Sequence, residues 1–279
     1  MESLWFPLWG PALSRPEVGI AHNVFVTCRL LASLILAAAP LLRAADFTEV
    51  RLGDRVYQYH LPRGHDCGTR NLPAVLFLHA EGEGAAAARE RMGTEVADAN
   101  CYVAVWAQAD GFTWTAADVD YIRLVLDSLG TTIDPLRVYV VGHRDGAVLA
   151  FRLACELSGR ITAFAPMEGS LSCTPPRPIP AIAWDADVDA LRDADGLPST
   201  PTTLVILPSA KVPGVKDTIS SWLGGRVGSA VIQHKLSGVD ADWIYAQPPP
   251  FDWQTENWKF FTQYALPFTS ATRHRAAGH

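Results

Sequence analysis

The chain has 279 residues, 49% of them hydrophobic and 19% charged, which suffices for one large α/β core. Its net charge of -6, from 23 basic and 29 acidic residues, offers no basic footprint for nucleic acid or an anionic membrane surface. No repeat of 20–50 residues and no low-complexity tract is visible, which removes solenoids and extended linkers from consideration.

Near the N-terminus, Leu30 to Leu42 is an almost unbroken apolar run between Arg29 and Arg43-Ala44-Ala45-Asp46. About 13 apolar residues suit the h-region of a signal peptide and fall short of the roughly 20 that span a bilayer. Residues 1–45 are therefore expected to be a leader, 46–268 the folded domain and 269–279 a tail. The mature chain is expected to be secreted or periplasmic, with no stable membrane span. A buried or membrane-anchoring helix is the competing reading, because the stretch from Val24 is nearly long enough to cross. Trp5, Pro7, Trp9 and Pro11 do not make a basic n-region, and a start between Val18 and Val26 suits the pattern better.

Thr48 to Leu52 and Arg55 to Leu61 alternate apolar and polar residues around Gly53-Asp54, which predicts an N-terminal antiparallel hairpin. Short apolar runs follow: Ala74 to Leu78, Tyr102 to Trp106, Arg137 to Val141, Ile161 to Ala165 and Ile179 to Trp184. Such runs fit strands of a parallel sheet buried on both faces. A helix is predicted from Ala116 to Leu129, where Val119, Ile122, Val125, Leu126 and Leu129 recur at helical spacing and Thr115 with Asp118 forms a capping-box-like start. Further helices are expected over Ala147 to Leu157 and Trp258 to Ala265. The alternation implies an α/β fold: a mostly parallel central sheet with helices on both faces. Proline-rich breaks at Thr174 to Pro180 and Pro248 to Pro250 read as loops within one domain.

Cys28 would leave with the leader, and Cys67, Cys101, Cys155 and Cys173 remain. An even number in an oxidising compartment, with no C-x-x-C, favours disulfides over a metal. Four cysteines allow three pairings. The expected one joins Cys67 to Cys101, before strands that should be parallel neighbours, and Cys155 to Cys173, a helix end and the loop that descends to the next strand.

The chemistry should lie in Arg137-Val138-Tyr139-Val140-Val141-Gly142-His143-Arg144-Asp145-Gly146-Ala147, a strand running into a helix through a turn flanked by glycines. In G-x-S-x-G elbows, small residues let the chain turn sharply and hold the middle side chain above the sheet. Here the small positions are kept and the middle one is Arg144. From Val119 through this turn to Arg152-Leu153-Ala154-Cys155-Glu156-Leu157 and Ala163-Phe164-Ala165-Pro166, the chain resembles the secreted polyhydroxyalkanoate-depolymerase and feruloyl-esterase-like branch of the α/β-hydrolases. The similarity extends over roughly Asp46 to Phe268. It implies an α/β-hydrolase fold, with Asp187 of Trp184-Asp185-Ala186-Asp187 at the triad-acid position. Ala241 of Asp240-Ala241-Asp242-Trp243 falls at the histidine position, and one residue of slippage would bring Asp240 or Asp242 there. The oxyanion region maps to His79-Ala80-Glu81-Gly82 and to Asp145, which follows the elbow.

Acyl transfer needs an activatable nucleophile and a base beside it, and a guanidinium supplies neither, being protonated and without a free lone pair. Glu81 near an oxyanion would repel developing negative charge. Asp145 could serve as a carboxylate nucleophile only if the turn shifted by one residue, which would put His143 where a small side chain is wanted. His234, in the run Ala230 to Leu236, reads as a strand histidine. Arg144 is expected in an ion-paired network drawn from Glu81, Asp145, Asp185, Asp187 and Asp240, with Asp187 as a bidentate partner if it faces the elbow. His143, Trp114, Asp185 and Trp243 are candidate ligand contacts; for the tryptophans, and for Trp222, Trp253 and Trp258, core packing is the competing reading. No metal or other cofactor is expected. The function that follows is that of an exported esterase homologue acting as a non-catalytic binding or interaction protein for a small-molecule ester, a polymer or a protein. The alternative is an active carboxylic-ester hydrolase with a rearranged site.

Overall fold

The computed structural model describes residues 47–64, 66–92, 94–170, 173–240, 242–246 and 248–266. The expected leader, with its run from Leu30 to Leu42, and the expected tail 269–279 lie outside the described residues. A hairpin opens the domain, β1 (Thr48–Leu52) pairing with β2 (Arg55–His60). β3 (Leu72–Leu78), α1 (Ala85–Arg91), α2 (Glu95–Asn100), β4 (Val103–Ala107), α3 (Asp118–Ser128), β5 (Ile133–His143), α4 (Asp145–Glu156) and β6 (Ala163–Gly169) follow. The remainder is β7 (Ala181–Ala186), α5 (Asp189–Ala194), β8 (Thr203–Pro208), β9 (Lys216–Trp222), β10 (Val231–Ser237) and α6 (Trp253–Phe261). The ten strands form one sheet in the order β1-β2-β4-β3-β5-β6-β7-β10-β9-β8. From β4 to β10 neighbouring strands run parallel, and both margins are antiparallel.

The central strands are apolar at successive positions because both faces are covered. In β3, Leu76 and Leu78 belong to one core with Ile122 and Leu126 of α3 and Phe151 and Leu153 of α4. Val75 and Phe77 belong to the other core, with Ala85 and Ala88 of α1 and Trp253, Phe260 and Phe261 of α6. This is the period-two alternation of a strand between two helical layers. Full burial of each Val, Leu, Ile or Phe among them is worth about 1.5–3 kcal/mol.

At the start of α3, Thr115 donates from its N–H and its hydroxyl to Asp118 Oδ2, and the Asp118 N–H donates to Thr115 O. Asp118 is buried and also pairs with Arg55 at 2.6 Å. The last helix starts five positions earlier than its hydrophobic spacing implies. Asp252 accepts from the Thr255 N–H at 3.2 Å and fixes the first turn there. Both expected disulfides are formed, Cys67–Cys101 with Cα atoms 4.9 Å apart and Cys155–Cys173 with Cα atoms 6.4 Å apart. Among the described residues no helix is long and apolar enough to cross a membrane.

Candidate active site at the β5–α4 elbow

One residue, Arg144, separates β5 from α4, with φ 53° and ψ -113°. The surrounding backbone imposes this conformation. A Cβ on Gly142 would sit 2.2 Å from Gly146 O, and a Cβ on Gly146 would sit 2.4 Å from Leu78 O and 2.5 Å from His79 O. The Arg144 N–H donates to Met167 O at 2.9 Å, while Arg144 O accepts from the N–H groups of Ala147 and Val148. A side-chain-bearing residue held at positive φ costs about 1–3 kcal/mol, and such strain concentrates at functional turns. The positive φ falls on Arg144, and Asp145 is the first residue of the helix.

The Arg144 guanidinium bridges two carboxylates, Nε to Glu168 Oε2 at 3.2 Å and Nη2 to Asp242 Oδ1 at 2.7 Å. Partial burial works against the cation, but the hydrogen bonds to Glu168 and Asp242 outweigh it and hold Arg144 above its ordinary pKa. These partners differ from the expected ones. His143 is in register with Met167 on the neighbouring strand β6, so the next residue, Glu168, lies beside the elbow. Asp187 is one strand further away and exposed; its Oδ1 accepts from the Asp189 N–H at 3.0 Å at the start of α5. Asp185 accepts from the Leu236 N–H at 2.9 Å, and burial raises its pKa. Asp240 and Glu81 are exposed. Ala241 lies outside the described residues, and its neighbour Asp242 is the residue of that loop that reaches Arg144.

Behind the guanidinium, His143 is 2% exposed. Its Nδ1 lies 2.7 Å from Tyr245 Oη, which in turn lies 2.9 Å from Glu83 Oε1, and Glu83 pairs with Arg91. A carboxylate only accepts, so the phenol donates to Glu83 and accepts from His143 Nδ1–H. That leaves His143 Nε2 as a buried lone pair with no hydrogen bond, 3.8 Å from Glu168 Oε1. Burial first, and then the charge of Arg144, lower the His143 pKa to about 4.

On the other side of the elbow, His79 Nδ1–H donates to Ala80 O at 2.8 Å and Nε2 accepts from the Ala109 N–H at 3.1 Å. Both ring nitrogens are thus engaged in structure, and burial lowers the His79 pKa. Trp114 donates its indole N–H to His79 O at 2.8 Å and its backbone N–H to Asp145 Oδ2 at 2.9 Å. Asp145 Oδ1 is buried without a hydrogen bond, and burial raises its pKa. Trp114 and Trp243 are both buried, Trp114 in one core and Trp243 in the other, 5.8 Å from the Trp184 ring, which matches core packing and not ligand contact. His234 lies within β10, its Nδ1 2.7 Å from the buried Asp217 and its ring stacked on Trp184 at 3.8 Å.

Glu168, Glu83 and Tyr245 carry no signal in local spacing. Glu168 could have been found by extending the strand that starts at Ile161, which in fact runs on to Gly169. A cavity of about 370 Å³ bounded by Cys67, Arg70, Arg137, Tyr139 and Trp258 lies at the opposite end of the sheet. In parallel sheets, ligands bind outside the carboxyl ends of the strands, which favours the elbow as the functional end.

No family model matches the chain. A protein described as "Putative esterase NocK" from Nocardia uniformis subsp. tsuyamanensis is 30% identical over 167 residues, covering 53% of this chain. The chain spans about half of that relative's length, 48%. A thermostable esterase structure superposes with a TM-score of 0.52 at 16% identity, over 79% of this chain and 63% of its own. Acetyl xylan esterase from Aspergillus awamori gives 0.53 at 12% identity, over 77% of this chain and 98% of its own. With its strand order, its elbow and these similarities together, the chain is an α/β-hydrolase by fold, with esterase-like sequence over about half of its length.

Proposed function

We propose that this chain is an exported, catalytically degenerate relative of the secreted polyhydroxyalkanoate-depolymerase and feruloyl-esterase-like esterases, a pseudoenzyme that binds a small-molecule ester, a polymer or a protein partner. The observation that carries this reading is the occupant of the elbow. Arg144 holds the strained backbone conformation in which an esterase presents its nucleophile, and its guanidinium is tied to Glu168 and Asp242. A protonated guanidinium has no electron pair with which to attack an ester carbonyl. Asp242, which accepts from it, cannot act as the imidazole of a triad would. The two disulfides are compatible with export of a domain spanning 46–268.

Hydrolysis of short-chain p-nitrophenyl esters by the purified full chain tests the proposal. The wild type is expected to show no turnover above buffer, and Arg144→Ser to add little, because a serine without a base stays weak. Arg144→Ser with Asp242→His is expected to give a measurable rate. Wild-type hydrolysis that disappears on mutating Asp145 or Asp187 would overturn the proposal and make the acidic cluster the catalytic apparatus.

A further inference from the structure

The far margin of the sheet presents an unusual strand. Every residue of β8 is exposed, yet four in succession are large and apolar: Leu204, Val205, Ile206 and Leu207 at 60%, 46%, 59% and 45% exposure. Since side chains alternate along a strand, both faces of β8 are apolar and bare. Leu223, 50% exposed and donating its N–H to Thr202 Oγ1, extends the patch at one end.

Among the described residues no strand pairs with the outer side of this margin, and the ladder fixes which groups point outward. Pro208 has no N–H, yet it stays in register with Lys216, and the Ser209 N–H donates to Val215 O. Residues 203, 205 and 207 therefore exchange hydrogen bonds with β9, while Leu204 and Ile206 direct their N–H and C=O groups away from the sheet. The strand carries none of the charges that natural edge strands use against pairing, and its one proline lies at the end.

We propose that β8 is a homodimerisation edge, on which a second copy of the chain lays its own β8 antiparallel across a two-fold axis at Val205. Residues directly opposite in an antiparallel pair share a face, so a two-fold axis normal to the sheet must pass beside a residue and not between two. With the axis at Val205, Leu204 lies opposite Ile206 of the partner subunit and Ile206 opposite the partner's Leu204. The outward N–H and C=O groups of these residues then pair completely, and the side chains opposed are apolar. An axis at Ile206 would oppose Leu204 to the partner's Pro208 and lose the donors that proline lacks. Each edge is uncharged, so no like charges meet. Each copy bares on the order of a few hundred Å² of apolar surface here. A symmetric pair covers the patches of both copies at once, at the small end of protein interfaces, so the dimer is expected to dissociate on dilution.

Sedimentation equilibrium of the full chain over roughly a hundredfold range of concentration should show a monomer–dimer equilibrium, and Ile206→Lys should abolish it. Cysteine variants test the register even if that lysine variant fails to fold. Val205→Cys faces its own copy with Cα atoms about 4.5 Å apart, within disulfide range, and should give a reducible covalent dimer. Leu207→Cys, about 14 Å from its copy, should not. A monomer at every concentration, or cross-linking through 207 as readily as through 205, would overturn the proposal. So would a monomer whose β8 amides are protected from hydrogen exchange, since another segment of the chain or a different partner would then cover the edge.

Discussion

The elbow and the β8–β9 hairpin divide the work of backbone and side chain in opposite ways. At the elbow the backbone is committed before the side chain at position 144 is considered, because two glycines leave no room for a Cβ and both polar groups of Arg144 are hydrogen bonded. In β8 the outer row of backbone groups has no strand partner among the described residues, and the apolar side chains are exposed. A turn built from backbone contacts has its geometry set independently of the side chain at its centre. A strand whose backbone is half paired, by contrast, is defined by whatever completes it.

The elbow's side of this comparison breaks most readily at its glycines. Gly146→Ala or Gly142→Ala drives a methyl group into backbone carbonyls that cannot rotate away, and should cost at least about 3 kcal/mol by denaturant unfolding. Gly159, with nothing within 4 Å of an added Cβ, should tolerate alanine to within about 1 kcal/mol. Equal losses at Gly146 and Gly159 would mean that the close approach is not what holds the turn.

His143 sharpens the picture through pH. Its folded pKa, about 4, lies below the ordinary value of about 6.5. The unfolded chain thus binds the proton more readily between those values. The contribution of neutral His143 is fully present above pH ~6.5, and about 3 kcal/mol of it is lost as pH falls toward ~4. Asp145 and Asp185, raised by burial, and Asp195, raised to about 6 by burial, act with the opposite sign. The measurement is therefore the difference between wild type and His143→Asn, which retains an N–H for Tyr245. The wild type should lose its advantage across that window, and a pH-independent difference would contradict the buried lone pair.

Smaller effects separate the backbone from the side chain at residue 144 itself. Arg144→Ala leaves Glu168 and Asp242 without their cation and should cost about 1–2 kcal/mol, the pair being partly solvent-screened. Arg144→Gly loses the same bonds but relieves the positive φ, and should be about 1 kcal/mol more stable than the alanine variant. At the other end of the comparison, Leu207→Thr on β8 should shift the unfolding of dilute protein by less than about 0.5 kcal/mol.

Much of the central sheet was legible in the sequence, because strands buried on both faces are written as unbroken apolar runs, as in Leu72–Leu78. The elbow was legible because its glycines are required at fixed offsets from residue 144. The partners of Arg144 were not, since Glu168 comes from the neighbouring strand and Asp242 from a loop that follows β10, and no local period encodes either. For Glu83 and Tyr245, 162 positions apart, the same holds. Thr203–Pro208 has the apolar composition of a strand, but its bare place at a margin is set by the sheet order, which no local pattern encodes, and α6 was misplaced because its start is set by the Asp252 cap and not by hydrophobic spacing.

The central claim, that a cationic side chain stands where an esterase holds its nucleophile, is tested most directly by treating the full chain with a fluorophosphonate probe and reading the intact mass, with the Arg144→Ser, Asp242→His double variant alongside. The account predicts an unmodified wild-type chain, because no activated hydroxyl stands on the elbow, and a single adduct mapped to position 144 in the double variant. A stoichiometric adduct on the wild-type chain, on any residue beside the elbow, would contradict it.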